Sequence, residues 1–107
     1  MAAGDWKDMF QAIQNGNLAL VKYHIQKGVN PNYQHPELLT TPLIESIENR
    51  NTEITKYLLE SGADPHLKAG FSTDTPMKVA KSMKNKDAIT LLKPYYKSFF
   101  QKLFSKS

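Results

Sequence analysis

The sequence predicts an all-α solenoid of three helix-turn-helix units with projecting β-turn loops and a C-terminal amphipathic helix. The first observation is a repeat, because Thr41-Pro42-Leu43 is followed further along the chain by Thr75-Pro76-Met77. The second is that apolar residues recur at helical spacing after each Thr-Pro pair. The third is a shared ending, Gly28-Val29-Asn30-Pro31 in the first unit and Gly62-Ala63-Asp64-Pro65 in the second. We call the interval from Thr41 to Thr75 the repeat length. A sequence that resembles itself at such an interval is typical of proteins built from stacked repeats.

The second unit shows how each helix pair is built. Thr41 suits an N-cap because its hydroxyl accepts from a first-turn amide, and Pro42 suits the first helical position. Asn51 or Thr52 begins the next helix, and Gly62 suits the left-handed residue that ends it. The same template fits one repeat length upstream, where Asp5 is the candidate first cap, and one repeat length downstream. It predicts helices over residues 6–15, 18–26, 42–50, 52–60, 76–84 and 86–93.

The predicted core is shared between units. Each helix pair buries one face against its neighbours, so Leu43, Ile47 and Leu58 are expected to be buried. About three units are near the minimum for a stable stack. The expected bounds are 1–93 for the repeat domain, with repeats about 5–38, 39–72 and 73–93, and 94–107 for a C-terminal amphipathic capping helix.

These motifs resemble those of ankyrin repeats, whose unit is a β-turn followed by two antiparallel helices. The resemblance covers about residues 5–93 and rests on Thr41-Pro42-Leu43, Thr75-Pro76-Met77, Asn15-Gly16-Asn17-Leu18 and Gly62-Ala63-Asp64. The family's signature histidine is replaced by Phe10, Ile44 and Lys78, so the hydrogen bonds that it usually supplies are expected to be missing. The resemblance implies a non-catalytic module that binds a partner protein.

Composition and motifs exclude other classes of protein. No apolar run approaches the roughly 20 residues that cross a bilayer, and the N-terminus has no basic and apolar regions of a secretory signal. The chain has no cysteine, which removes disulfides and thiolate metal sites. His24, His35 and His66 have no ligand partner at helical spacing, and no nucleophile motif is present. We therefore expect a cytoplasmic monomer that is not an enzyme and needs no metal or cofactor.

Charge is unevenly distributed along the chain. Residues 1–75 carry a net charge of −3, whereas residues 76–107 carry +7. The basic end contains no arginine, the usual reader of base edges, so specific nucleic-acid binding is not expected. Glu45 and Glu48 lie three residues apart on a predicted helix. We expect a solvated helix face there, with no apolar surroundings that would raise a pKa.

The resemblance implies that the turns and the inner helices form a concave binding surface. Leu39 is either a further anchor in the first turn or packing that folds back over the next helix. Trp6 either caps the open end of the stack, which we favour, or anchors a partner. The candidate partner-binding residues are Tyr33, His35, Leu38 and Phe71 in the turns and Gln14 and Glu48 on the inner helices, beside the equivalent polar positions Asn15, Asn49 and Ser82.

The C-terminal segment is predicted to be an amphipathic helix that begins at Pro94. One interpretation is that its aromatic face covers the open end of the third unit near Leu91 and Leu92, which we favour. The other is that the basic and aromatic residues bind an anionic membrane surface, making the protein a peripheral membrane adaptor. The aromatic face consists of Tyr95, Tyr96, Phe99, Phe100, Leu103 and Phe104.

Overall fold

The computed structural model describes residues 5–70 and 73–104. Within these ranges the chain contains no β-strand, and no helix is both long enough and apolar enough to span a membrane. The six α-helices are α1 Asp5–Gln14, α2 Leu18–Gln26, α3 Pro42–Glu48, α4 Thr52–Glu60, α5 Pro76–Ser82 and α6 Lys86–Phe104.

The helices form two parallel rows. Helices α1, α3 and α5 pack one after another along one row, α2, α4 and α6 pack along the other, and each pair also packs across the rows. The molecule is therefore elongated, with extents of 46 × 28 × 27 Å. Leu43, Ile47 and Leu58 lie in the shared core with at most 2% of their surface exposed. The predicted all-α solenoid of three helix pairs is confirmed.

The helix starts follow the predicted capping chemistry. Thr41 accepts a hydrogen bond from the Ile44 amide and Thr75 accepts one from the Lys78 amide, each with proline at the next position. Asn51 caps α4 in the same way, which settles the choice between Asn51 and Thr52. Side-chain caps of this kind satisfy amides that have no partner inside the helix.

Asparagines recur at the start of all three outer helices. Asn17, Asn51 and Asn85 occupy the same position in successive repeats, and each caps its helix. The buried Asn85 does more, because its Nδ2 also donates to the Ile47 carbonyl at 3.0 Å. One side chain therefore begins α6 and attaches the third unit to the second.

Helices α3 and α5 end at Glu48 and Ser82, two residues before their predicted ends. The reason is a left-handed residue in each interhelical turn, at Gly16, Arg50 and Lys84, with φ of 71°, 56° and 56°. A right-handed helix cannot continue through such a residue. Helices α2 and α4 have the predicted bounds.

The last helix differs most from the prediction. A helix end at residue 93 and a new start at Pro94 were expected, but α6 runs without a break from Lys86 to Phe104 with Pro94 inside it. Pro94 has no amide hydrogen to donate to the carbonyl four residues earlier. Leu92 before it and Tyr96 after it both pack against the core. Packing on both sides of the proline therefore outweighs the lost hydrogen bond.

Tyr96 attaches α6 to the second turn. Its hydroxyl donates to the Pro65 carbonyl at 2.6 Å and accepts from the Met77 amide at 3.5 Å, and its ring lies 4.2 Å from that of His66. These contacts join α6 to the second turn and to the start of α5, and the capping of the open end near Leu91 and Leu92 stays a prediction. Tyr95, in contrast, is 37% exposed. The rest of the predicted aromatic face lies outside the described side chains: Phe99, Phe100, Leu103 and Phe104.

Candidate partner-binding groove

A groove lies between the two projecting turns and the row formed by α3 and α5. Its volume is about 350 Å³. It is lined by three carboxylate side chains and five apolar or hydroxyl-bearing residues: Leu38, Thr40, Ile44, Glu45, Glu48, Ala69, Asp74 and Val79. Two of the predicted binding residues, Leu38 and Glu48, are thus brought together in one groove.

The first turn is built around His35. Its Nδ1 accepts hydrogen bonds from the amides of Glu37 and Leu38, at 3.1 and 3.0 Å. Its backbone amide donates to the Thr40 carbonyl at 2.8 Å, and its carbonyl accepts from the Leu39 amide at 2.7 Å. These bonds fix the turn in one conformation. Leu38 is held at the rim of the groove with 59% of its surface exposed.

An aromatic cluster packs this turn against α1. The Trp6 ring stacks on Tyr33 at 5.2 Å and meets the edge of His35 at 4.9 Å, and His35 also packs on Phe10 at 5.1 Å. Tyr33 and His35, which we predicted as partner-binding residues, are half-buried in this cluster, and neither lines the groove. Trp6 also packs on Phe10 at 6.2 Å and against the core, so it helps to hold the segment that carries Leu38.

The carboxylates of α3 differ in their surroundings. Glu45 Oε2 accepts from Gln14 Nε2 at 3.2 Å and from Asn49 Nδ2 at 3.1 Å. Gln14 therefore contributes to the site through Glu45. The Glu48 carboxylate has no hydrogen bond or ion pair to any residue that the structure describes.

The predicted solvated helix face agrees with the exposure of Glu48, but the expectation that nothing would raise its pKa was wrong. Although Glu48 is largely exposed, partial burial and the neighbouring Glu45 carboxylate raise its pKa. Burial disfavours the charged carboxylate, and a like charge one helical turn away does the same. Ala69 of the second turn and Val79 of α5 line the same groove as Glu48.

The second turn forms the opposite wall. Asp74 makes an ion pair of 3.4 Å with Lys78. Leu39 is half-buried and packs against this turn, where a Cβ added to Gly70 would lie 2.4 Å from the Leu39 Cβ. Leu39 therefore joins the two turns, whereas Leu38 stays exposed. Phe71, predicted as an anchor in this turn, lies outside the described residues.

Successive turns are joined by Asn32. Its Nδ2 donates to the Gly62 carbonyl at 3.1 Å, and its Oδ1 accepts from the Asp64 amide at 2.7 Å. The equivalent residue of the second unit is His66, which packs on Tyr96.

Sequence reasoning missed most of the groove lining, although the repeat contained a signal for it. Thr40 and Asp74 occupy one position in successive repeats, Glu45 and Val79 occupy another, and all four line the groove. The first position lies just before the threonine cap, and the second lies on the inner helix. A search for equivalent positions flanking the caps would have found them.

Comparison with protein families gives a match over residues 9–102 to the family described as ankyrin repeats, in three copies. The match includes most of α6, beyond the end at residue 93 that the resemblance covered. Comparison with curated proteins finds no match. Because the family match spans nearly the whole chain and the structure has its paired helices and projecting turns, this protein belongs to the ankyrin repeat family.

Proposed function

We propose that the protein binds a partner protein through the groove between its turns and inner helices, without catalysis. Ankyrin repeats are generally protein–protein interaction modules, which supports the proposal. The observation that carries it is Leu38, an exposed leucine at the groove rim on a turn that His35 holds in place. A turn whose backbone is ordered before binding loses little conformational freedom on association, which suits a segment that carries an anchor.

The proposed mode of action is occlusion. A protein that binds by contact alone acts on its target by covering part of the target's surface. We propose that this chain acts in that way as a monomer in the cytoplasm, as an inhibitor or immunity-type protein. The volume of the groove, about 350 Å³, suits one protruding segment of a target.

The test is affinity measurement on a captured partner with two leucine variants. Leu38→Ala is expected to weaken binding by about 2 kcal/mol or more, the usual effect of truncating a central anchor. Leu20→Ala is the matched control, because Leu20 is also exposed, at 39%, but lies on the outer helix α2. If the two variants bind with the same affinity as the unmodified protein, the groove is not the binding surface.

A membrane-adaptor function is a second proposal, supported by the surface of the third unit. The lysines that the structure describes in this part of the chain are all exposed: Lys78, Lys81, Lys84, Lys86, Lys93 and Lys97. Exposed lysines attract anionic lipid headgroups. Sedimentation with phosphatidylserine vesicles tests this, and binding that is equal for neutral and anionic vesicles would count against it.

A further inference from the structure

We propose that the groove takes a basic segment of the partner, with a lysine or arginine side chain beside the carboxylates and an apolar side chain against Leu38. This inference rests on the proposed function, because it names the chemistry of the partner that the same groove would bind. It goes further by excluding acidic segments and disfavouring neutral ones.

The charge of the groove lining favours a basic segment. Three carboxylates line the groove, and none of its eight lining residues is cationic. Lys78 is paired with Asp74 at the edge, at 3.4 Å, and offsets one of the three negative charges. Complementary charge steers a partner to the groove and rejects segments of the same sign.

The two glutamates of the groove differ in their hydrogen bonding. Glu45 is held in place by Gln14 and Asn49, so its carboxylate is already satisfied within the protein. Glu48 has no such bond among the described residues and sits beside Glu45. A cation from outside the protein would satisfy Glu48 and reduce the repulsion between the two carboxylates.

The apolar part of the groove lining suits the stem of a basic side chain. Ile44, Ala69 and Val79 accompany the carboxylates, and Leu38 stands at the rim. Lysine and arginine carry long apolar stems below their charged groups, and such stems pack on surfaces of this kind. A basic residue next to an apolar one therefore matches both the carboxylates and the apolar side chains of the groove.

The experiment uses a phage-displayed library of random twelve-residue peptides selected on the full chain. Selected peptides are expected to carry lysine or arginine next to an apolar residue. Glu48→Gln should weaken their binding roughly tenfold, as expected for loss of one charge-assisted hydrogen bond. Replacing the peptide's arginine by citrulline, which is neutral and of similar shape, should do the same. Glu53→Gln on α4 removes the same charge away from the groove and is the matched control.

The other outcomes separate this inference from the proposed function. Peptides that need Leu38 but are neutral or acidic would overturn the basic-partner inference and leave the groove as the binding surface. Peptides insensitive to both Leu38→Ala and Glu48→Gln would overturn both. Failure to enrich any peptide would overturn the inference that a short segment occupies the groove. Sedimentation equilibrium that shows a dimer lost in Glu48→Gln would assign the groove to the basic end of a second copy instead.

Discussion

His35 is the residue whose replacement most directly tests how the first turn displays Leu38. Its ring has two separable functions, an acceptor at Nδ1 and an aromatic surface against Trp6 and Phe10. His35→Phe keeps the aromatic surface and removes the acceptor. His35→Asn keeps an acceptor at the δ position and removes most of the ring. The acceptor is expected to be the function that holds Leu38 in place.

The magnitude follows from the two hydrogen bonds. The Nδ1 acceptor receives the amides of Glu37 and Leu38, at 3.1 and 3.0 Å. A single bond of this kind contributes about 0.5–1.5 kcal/mol net, and both amides are near solvent, so the lower half of that range applies. Loss of both is therefore expected to destabilise the ordered turn by about 1–2 kcal/mol, which is roughly a five- to thirtyfold change in its opening equilibrium.

Amide hydrogen exchange measures this opening without any partner. In His35→Phe the amides of Glu37 and Leu38 should exchange roughly five- to thirtyfold faster, whereas core amides such as that of Ile47 keep their protection. His35→Asn should restore slow exchange at both positions. If His35→Phe exchanges like the unmodified protein, or if His35→Asn exchanges as fast as His35→Phe, the acceptor does not hold the turn.

The remaining predictions concern stability. Asn85→Ala should lower the free energy of unfolding in urea by about 2–3 kcal/mol, because it removes a cap and a buried bond to α3. Asn17→Ala, which removes the equivalent cap of α2, should lower it by about 1 kcal/mol. Tyr96→Phe should lower the melting temperature by about 4–8 °C through loss of its bond to the second turn, and Tyr95→Phe should leave it unchanged. Glu48→Gln should raise the free energy of unfolding at pH 7 by about 0.2–0.5 kcal/mol.

The sign of the last prediction follows from proton linkage. The pKa of Glu48 is raised above its ordinary value of 4.5, so the folded protein binds this proton more readily than the unfolded chain. The free energy of unfolding therefore falls as the pH rises from about 4.5 through the raised pKa, and Glu48→Gln should remove that part of the decline. A variant that is less stable than the unmodified protein at pH 7 would contradict this. Equal losses of unfolding free energy in Asn85→Ala and Asn17→Ala would contradict the asparagine prediction. Equal melting temperatures of Tyr96→Phe and Tyr95→Phe would contradict the tyrosine prediction.

The sequence was sufficient for those features that depend on local chemistry. The threonine and asparagine caps could be predicted because a cap bonds to amides only two or three residues away. The helix ends at Glu48 and Ser82 could not, because Arg50 and Lys84 carry no local signal for a left-handed conformation. The continuous α6 could not either, since the proline signal at Pro94 is overruled by packing on the rest of the stack.

The groove was only partly predictable for a similar reason. Leu38 was recognised because an apolar residue in a turn is conspicuous in a sequence. The different states of Glu45 and Glu48 depend on Gln14, which lies 31 residues before Glu45 and reaches it only in the folded stack. The ankyrin-type repeat determines the positions of the side chains. Hydrogen bonds between neighbouring units determine which polar side chains are left without a partner in the protein.

Glu48 is the residue at which stability of the fold favours a neutral side chain and the proposed binding favours a charged one. It is the last residue of α3, where the partial negative charge of the helix end disfavours a carboxylate. Partial burial and Glu45 oppose its ionisation as well. Three separate effects therefore act against a charged side chain here, and a neutral residue would serve the fold better. Residues that weaken a fold in this way are common where function requires them, and the attraction of a cation supplied by a partner would oppose all three effects. Glu48→Gln should accordingly give a protein that is more stable and binds its basic partner less tightly. If it gains stability and keeps full affinity, the misplaced charge has no part in binding, and the basic-partner inference loses its strongest support.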